Sequence, residues 1–187
     1  MIELDPLTKL ANLYSTDKAP WCHNYTPLYH YLLNQIRQTA RKVLEIGVFD
    51  GASVKMWHDY FPNAIVWGID IHDHHCINPE QHPRIRFTLG DATSTSIRER
   101  IWREVIEAEP KEQGLDLIVD DGSHYPAEVR TAYFSFFPLL REGAYYIIED
   151  MAPLSNGDTL WINRASRINR MRWDDDSVLR SVEANKW

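Results

Sequence analysis

Two cysteines among 187 residues, Cys22 and Cys76, make no disulfide framework, and their scarcity points to a reducing compartment. Long apolar runs are missing as well. No stretch approaches the ~18 residues of a membrane span, and the opening "MIELDPLTKL" has neither a basic start nor an apolar segment behind it. The expectation is a cytoplasmic protein with no membrane partner. Positive charge is in deficit, with 20 Lys and Arg against 27 Asp and Glu and a formal net charge of −7. That balance argues against a nucleic-acid partner, because binding to phosphate backbones is driven largely by Lys and Arg. No internal repeat, low-complexity tract or Pro/Gly/Ser-rich linker divides the chain. The G-x-G-x-x-G dinucleotide fingerprint is absent too: in the turn "LEIGVFDGASV", Phe49 stands where an intermediate glycine would be.

What is present is the material of one folded domain, 44% hydrophobic and 12% aromatic over a length suited to a single core. "TPLYHYLLNQIRQ" sets Leu28, Leu32, Leu33 and Ile36 on one helical stripe, with Pro27 suited to the first turn. Short apolar runs then alternate with helical patterns. "KVLEIGV", "AIVWGIDI", "IRFTLGD", "LDLIVDDG" and "AYYIIEDM" read as strands; "GASVKMWHDYF", "SIRERIWREVIEAE" and "PAEVRTAYFSFFPLL" read as helices. Strands joined through helices predict right-handed crossovers and an α/β, doubly wound, mainly parallel sheet. Residues 1–40 are expected to form an N-terminal segment with the first helix, and 41–187 the core of the same unit.

The apolar runs end in acids. Glu45, Asp70, Asp91, Asp121 and Glu149 all lie at or just past expected strand C-termini, the edge where such sheets bind ligands. Gly47 and Gly51 permit a tight strand-to-helix turn whose amides could face a ligand, although an ordinary structural turn has the same look. Asp70 follows that turn at the spacing of a ribose-binding acid, and Asp91 follows the third strand within reach of a base. Together they point to an adenosine-type ligand. The adjacent carboxylates of "VDDG" and "IIEDM" leave two readings open. They cap the following helices, or they hold a hard divalent cation that offsets the several kcal/mol of burying unpaired charge.

The series "VLEIGVFDGASVKMW", "IVWGIDI", "IRFTLGDA" and "DLIVDDGSH" resembles the class I S-adenosylmethionine-dependent methyltransferases. With "YSTDKAPWCHNYTPLY" and "DDGSHYPAEVRTAYFSFFPLLREGAYYIIEDM", the resemblance narrows to the metal-dependent sugar O-methyltransferases of macrolide and tetracenomycin biosynthesis. Cephalosporin-hydroxylase-like proteins have a similar pattern. The resemblance implies a Rossmann-like sheet and S-adenosyl-L-methionine as cofactor. It places Glu45 near the methionine end, Asp70 on the ribose, Asp91 by the adenine, Asp120 toward the cofactor, and Thr16, Asp17 and Lys18 in a lid. It further implies Mg²⁺ or Mn²⁺ on Asp121, Glu149 and Asp150, with His124, three residues past Asp121, as general base. The acceptor would be a hydroxyl on a glycosylated small molecule, and a homo-oligomer is compatible. The rival readings are an inactive nucleotide-binding module of the same fold and, more weakly, an NAD-dependent oxidoreductase.

Three other signals carry less. "WCHN" and "HDHHC" offer Cys22, His23, His74, His75 and Cys76 at spacings that match no zinc-ligand grammar. Arg164, Arg167 and Arg170, with Arg172 nearby, read as one solvated helix face, or as a site for an acidic group on the acceptor. After Asp150 the pattern departs from the class I type, which ends in two more strands. "VLRSVEANKW" reads as the sixth, so the fold is expected to be shortened at its C-terminus, with an open edge.

Overall fold

The computed structural model describes residues 3–150, apart from 74, 76 and 112, and residues 160–165. Its elements are α1 (Pro6–Tyr14), α2 (Thr26–Leu33), β1 (Lys42–Ile46), α3 (Ala52–Tyr60), β2 (Ile65–Asp70), β3 (Ile85–Leu89), α4 (Thr95–Glu107), β4 (Leu115–Asp120), α5 (Pro126–Phe136), β5 (Leu140–Glu149) and β6 (Leu160–Arg164). One sheet runs in the order β3-β2-β1-β4-β5-β6. The first five strands are parallel and β6 is antiparallel to β5. The chain works outward from β1 to β3, then returns to add β4 beside β1. That reversal opens a crevice beyond the strand C-termini, between β1 and β4. Among the described residues no helix is long and apolar enough to cross a membrane.

Period-two alternation sends apolar side chains to both faces, which is why the strands read as unbroken apolar runs. Leu44, Ile46, Ile118, Tyr146 and Ile148 pack toward α4 and α5 with Ile101, Val105, Tyr133 and Phe136. Val43, Val66, Leu117, Val119 and Ile147 pack toward α1, α2 and α3 with Leu7, Tyr29, Val54 and Trp57.

The N-terminal layer differs from the sequence expectation. Helix α1 was not foreseen, although its start is well signalled: Asp5 accepts the Thr8 amide at 2.9 Å and Pro6 takes the first helical position. The expected leucine stripe of α2 is rotated. Thr26, Tyr29 and Leu33 are the buried residues, Leu28 is exposed, and the α-helix stops at Leu33, followed by a 3₁₀ turn over Asn34–Ile36. Tyr29 displaces Leu28 because its ring is as apolar as a leucine while its hydroxyl finds a buried partner. Arg164 ends strand β6 rather than lying on a helix. The sixth strand is Leu160–Arg164, and it covers the edge of β5. "VLRSVEANKW", Arg167, Arg170, Arg172, His74 and Cys76 lie outside the described residues.

A polar cluster underlies α3. His58 Nδ1 lies 2.7 Å from Asp59 Oδ1, and Asp59 also accepts the Tyr14 hydroxyl at 2.5 Å. The second ring nitrogen, Nε2, is buried and has no hydrogen-bond partner among the described residues, and burial holds the His58 pKa below its ordinary 6.5. The unfolded chain therefore takes up a proton there that the fold refuses. Stability is intact above that value and is lost as pH falls through it toward the depressed folded pKa. We expect His58→Asn, which keeps a nitrogen near the Nδ1 position and cannot titrate, to lessen the loss of Tm between about pH 7 and about pH 5 by a few degrees. Identical slopes in thermal melts of the two proteins would contradict this.

Candidate active site

Strand parity decides where each terminal acid points. Glu45 shares its face with Val43, so it enters the α1–α3 layer, fully buried. There the Ser53 hydroxyl donates to Oε2 at 2.8 Å and Trp57 Nε1 donates to Oε1 at 3.3 Å. Burial pushes its pKa up to about 7, against the pull of Lys18. Glu149 enters the same layer, two residues past Ile147. Its Oε1 accepts the Tyr29 hydroxyl and its Oε2 accepts Lys18 Nζ at 2.9 Å. Burial raises its pKa, opposed chiefly by the Lys18 charge. Asp120 has the opposite parity. It lies 2% exposed on the α4–α5 side and accepts the Tyr146 hydroxyl at 2.9 Å, with burial pushing its pKa up to about 7.

Asp70, at the end of β2, organises the glycine turn. Its Oδ2 accepts the amides of Val48 and Phe49, both at 2.8 Å, and its Oδ1 accepts the His72 amide at 2.8 Å. Gly47, at φ +86°, is required by proximity as well as conformation, since a Cβ there would lie 2.0 Å from the Asp121 carbonyl oxygen. The turn after β1 thus touches the loop after β4 across the crevice.

A cavity of about 830 Å³ opens along this edge. Of the residues singled out in the sequence, Thr16, Asp17, Lys18, Gly47, Asp70, Asp91, Asp120, Asp121, His124 and Asp150 line it. Glu45, Gly51 and Glu149 do not. Gly51 caps α3 in the left-handed region, and the two glutamates stand behind the wall against Lys18. Asp91 folds over its own turn, accepting the Thr93 amide and hydroxyl at 2.7 Å, and is exposed.

At the β4–β5 end the acids meet an ammonium. Lys18 Nζ lies 2.5 Å from Asp121 Oδ2, while Asp150 accepts the Tyr25 hydroxyl. Among the described residues no three His, Cys, Asp or Glu side chains converge as a ready cation site. The donor set nevertheless suits a hard divalent cation: carboxylate oxygens on adjacent strand ends, whose charge the single buried ammonium offsets only in part. His124 sits in the left-handed region at φ +59°, with Nδ1 3.3 Å from the Glu149 carbonyl oxygen and Nε2 3.9 Å from Asp121 Oδ1. A carbonyl can only accept, so this contact requires the proton on Nδ1, and in the neutral ring of that tautomer the lone pair is on Nε2. Cys22 is exposed and not in a disulfide.

Sequence reasoning missed the aromatic contributors. Trp21 and Phe49, with the aliphatic Ile71, line the cavity and are exposed, while Tyr25 and Tyr29 hold Asp150 and Glu149. Their four-residue spacing was a usable signal, since it puts two hydroxyls on one side of the chain as it enters α2.

No family model matches the chain. It is 37% identical over 155 residues to L-olivosyl-oleandolide 3-O-methyltransferase of Streptomyces antibioticus, an alignment covering 79% of this chain and 38% of that protein. It is 31% identical over 152 residues to 8-demethyl-8-(2-methoxy-alpha-L-rhamnosyl)-tetracenomycin-C 3'-O-methyltransferase of Streptomyces olivaceus, covering 78% and 36%. Among solved structures, the MycE methyltransferase of the mycinamycin biosynthetic pathway, in complex with Mg and SAH, superposes with a TM-score of 0.68 at 34% identity. That match covers 80% of this chain and 38% of the other. The chain therefore spans less than two fifths of the length of the curated relatives it matches.

Proposed function

Because this chain is a homologue of the S-adenosylmethionine-dependent sugar O-methyltransferases of macrolide and tetracenomycin biosynthesis, we propose that it methylates a hydroxyl on the sugar of a glycosylated small molecule. The observation that carries this reading is one continuous cavity lined both by the Asp70-braced glycine turn and by Asp121, His124 and Asp150. The turn suits an adenosyl ligand, and the acids with His124 suit the deprotonation of an alcohol.

In this reading Asp70 takes the ribose hydroxyls of S-adenosylmethionine, Asp91 lies by the adenine, and Glu45, behind the wall, biases the methionine end. Asp121, Glu149 and Asp150 would hold Mg²⁺, which when bound lowers the pKa of a coordinated alcohol. His124 Nε2 receives the acceptor proton, and the Glu149 carbonyl steadies the imidazolium through Nδ1–H. The acceptor oxygen attacks the sulfonium methyl in line, and S-adenosylhomocysteine leaves. Asp120, which lines the cavity from the α4–α5 side and is braced by the Tyr146 hydroxyl, is directed toward the cofactor.

The test is transfer of labelled methyl from S-adenosylmethionine to a panel of glycosylated polyketides, with MgCl₂ and with EDTA. Label in a sugar hydroxyl that disappears with EDTA is the expected result. S-adenosylhomocysteine binding with no transfer to any acceptor would instead favour a nucleotide-binding module of the same fold.

A further inference from the structure

The N-terminal segment does more than roof the cavity, because its donors reach all three acids proposed above as cation ligands. Lys18 Nζ bridges Asp121 at 2.5 Å and Glu149 at 2.9 Å; the Tyr29 hydroxyl takes the other oxygen of Glu149, and the Tyr25 hydroxyl takes Asp150. Lys18 is 1% exposed, and Glu45 and Asp17 lie within 3.9 Å of its ammonium. Burying an ammonium this completely is expensive unless several carboxylates meet it. Here four do, and two of them belong to the proposed cation set.

We infer that Lys18 is a place-holder for the divalent cation, neutralising Asp121 and Glu149 when none is bound and releasing them when one binds. This rests on the reading that these acids hold a cation. Two positive centres sharing the same two carboxylate groups in a buried site would stand within a few ångströms of each other and repel strongly. Occupancy is therefore competitive. The Lys18 backbone stays in place through the exchange, since its carbonyl accepts the amides of Tyr25 and Thr26 at 2.9 and 3.2 Å. Only the side chain has to move. Glu45 and Asp17, each 3.9 Å from Nζ, are the partners it can turn to, and Asp17 lies on the cavity wall. Cation binding would thus send the lysine charge toward the proposed methionine end of the cofactor cavity.

A merely structural ion pair and a place-holder predict opposite signs. If Lys18 only held the acids in position, its loss would weaken Mg²⁺ binding. If it competes, Lys18→Met should tighten Mg²⁺ binding by about tenfold or more, measured by calorimetric titration of the full chain with MgCl₂ in the absence of S-adenosylmethionine. Equal or weaker affinity in the variant overturns the inference while leaving the cation site standing. The wild-type protein supplies a check that does not depend on the variant folding: the ¹⁵Nζ resonance of Lys18 should move as MgCl₂ is added. A resonance unmoved while calorimetry shows Mg²⁺ bound also overturns the inference. Absence of Mg²⁺ binding in both proteins would bring down the cation reading, and the place-holder with it.

Discussion

His124→Ala should lower the rate of methyl transfer by a factor of about 10²–10⁴, the range for loss of a general base, with affinity for S-adenosylhomocysteine unchanged. The separation of effects follows from the geometry. His124 lies on the loop after β4 and is partly exposed in the cavity, and its ring bonds the Glu149 carbonyl rather than any group at the glycine turn. Removing it leaves Asp70, Gly47 and the amides of Val48 and Phe49 as they are. Its left-handed backbone conformation also marks a residue held in place by its surroundings, since non-glycine residues adopt that region at some cost. Single-turnover kinetics beside calorimetry would check both halves. Retained turnover would remove His124 from the reaction; parallel loss of turnover and binding would mean that it shapes the cavity instead.

Asp70→Ala should have the complementary signature. Binding of S-adenosylmethionine and S-adenosylhomocysteine should weaken by about 10- to 100-fold, as expected when charge-assisted hydrogen bonds are lost, with KM affected more than kcat. The carboxylate is the shared acceptor for three backbone amides, two on the glycine turn and one on the segment after β2. Its removal deletes the proposed ribose contact and also loosens the turn that the ligand must approach. Asp70→Asn separates the two contributions. An amide oxygen can still serve the Val48 and Phe49 amides, while the negative charge is gone. Affinity near wild type in both variants would contradict the ribose assignment. Loss in the alanine variant alone would assign Asp70 to bracing the turn.

The sheet could be read from the sequence because a parallel strand buried on both faces must be apolar at successive positions, and five such runs are plain. Their parallel pairing follows from the helical crossovers, whereas their order, and with it the crevice between β1 and β4, comes from the structure. The acids at strand ends were legible for the same reason: a carboxylate at the close of an apolar run is conspicuous. Their directions were harder to see, yet strand parity contains them. Glu45 and Glu149 share the parity of Val43 and Ile147, whereas Asp120 shares that of Ile118, and the structure divides them between the two layers accordingly. The N-terminal layer was largely illegible. A leucine count chose the wrong face of α2 because Tyr29 buries its ring only by finding Glu149, 120 positions away. Lys18 was singled out as part of a lid, but its partners, acids at the ends of β1, β4 and β5, come only with the fold. Long-range polar pairs of this kind have no local period to betray them.

The most direct test of the central claim is calorimetric titration of the purified chain with S-adenosylhomocysteine, with NAD as the control, each in MgCl₂ and in EDTA. The account predicts binding of S-adenosylhomocysteine and none of NAD, with a separate heat on adding MgCl₂. Absence of adenosyl binding under both conditions would contradict it, whatever the chain does with cations.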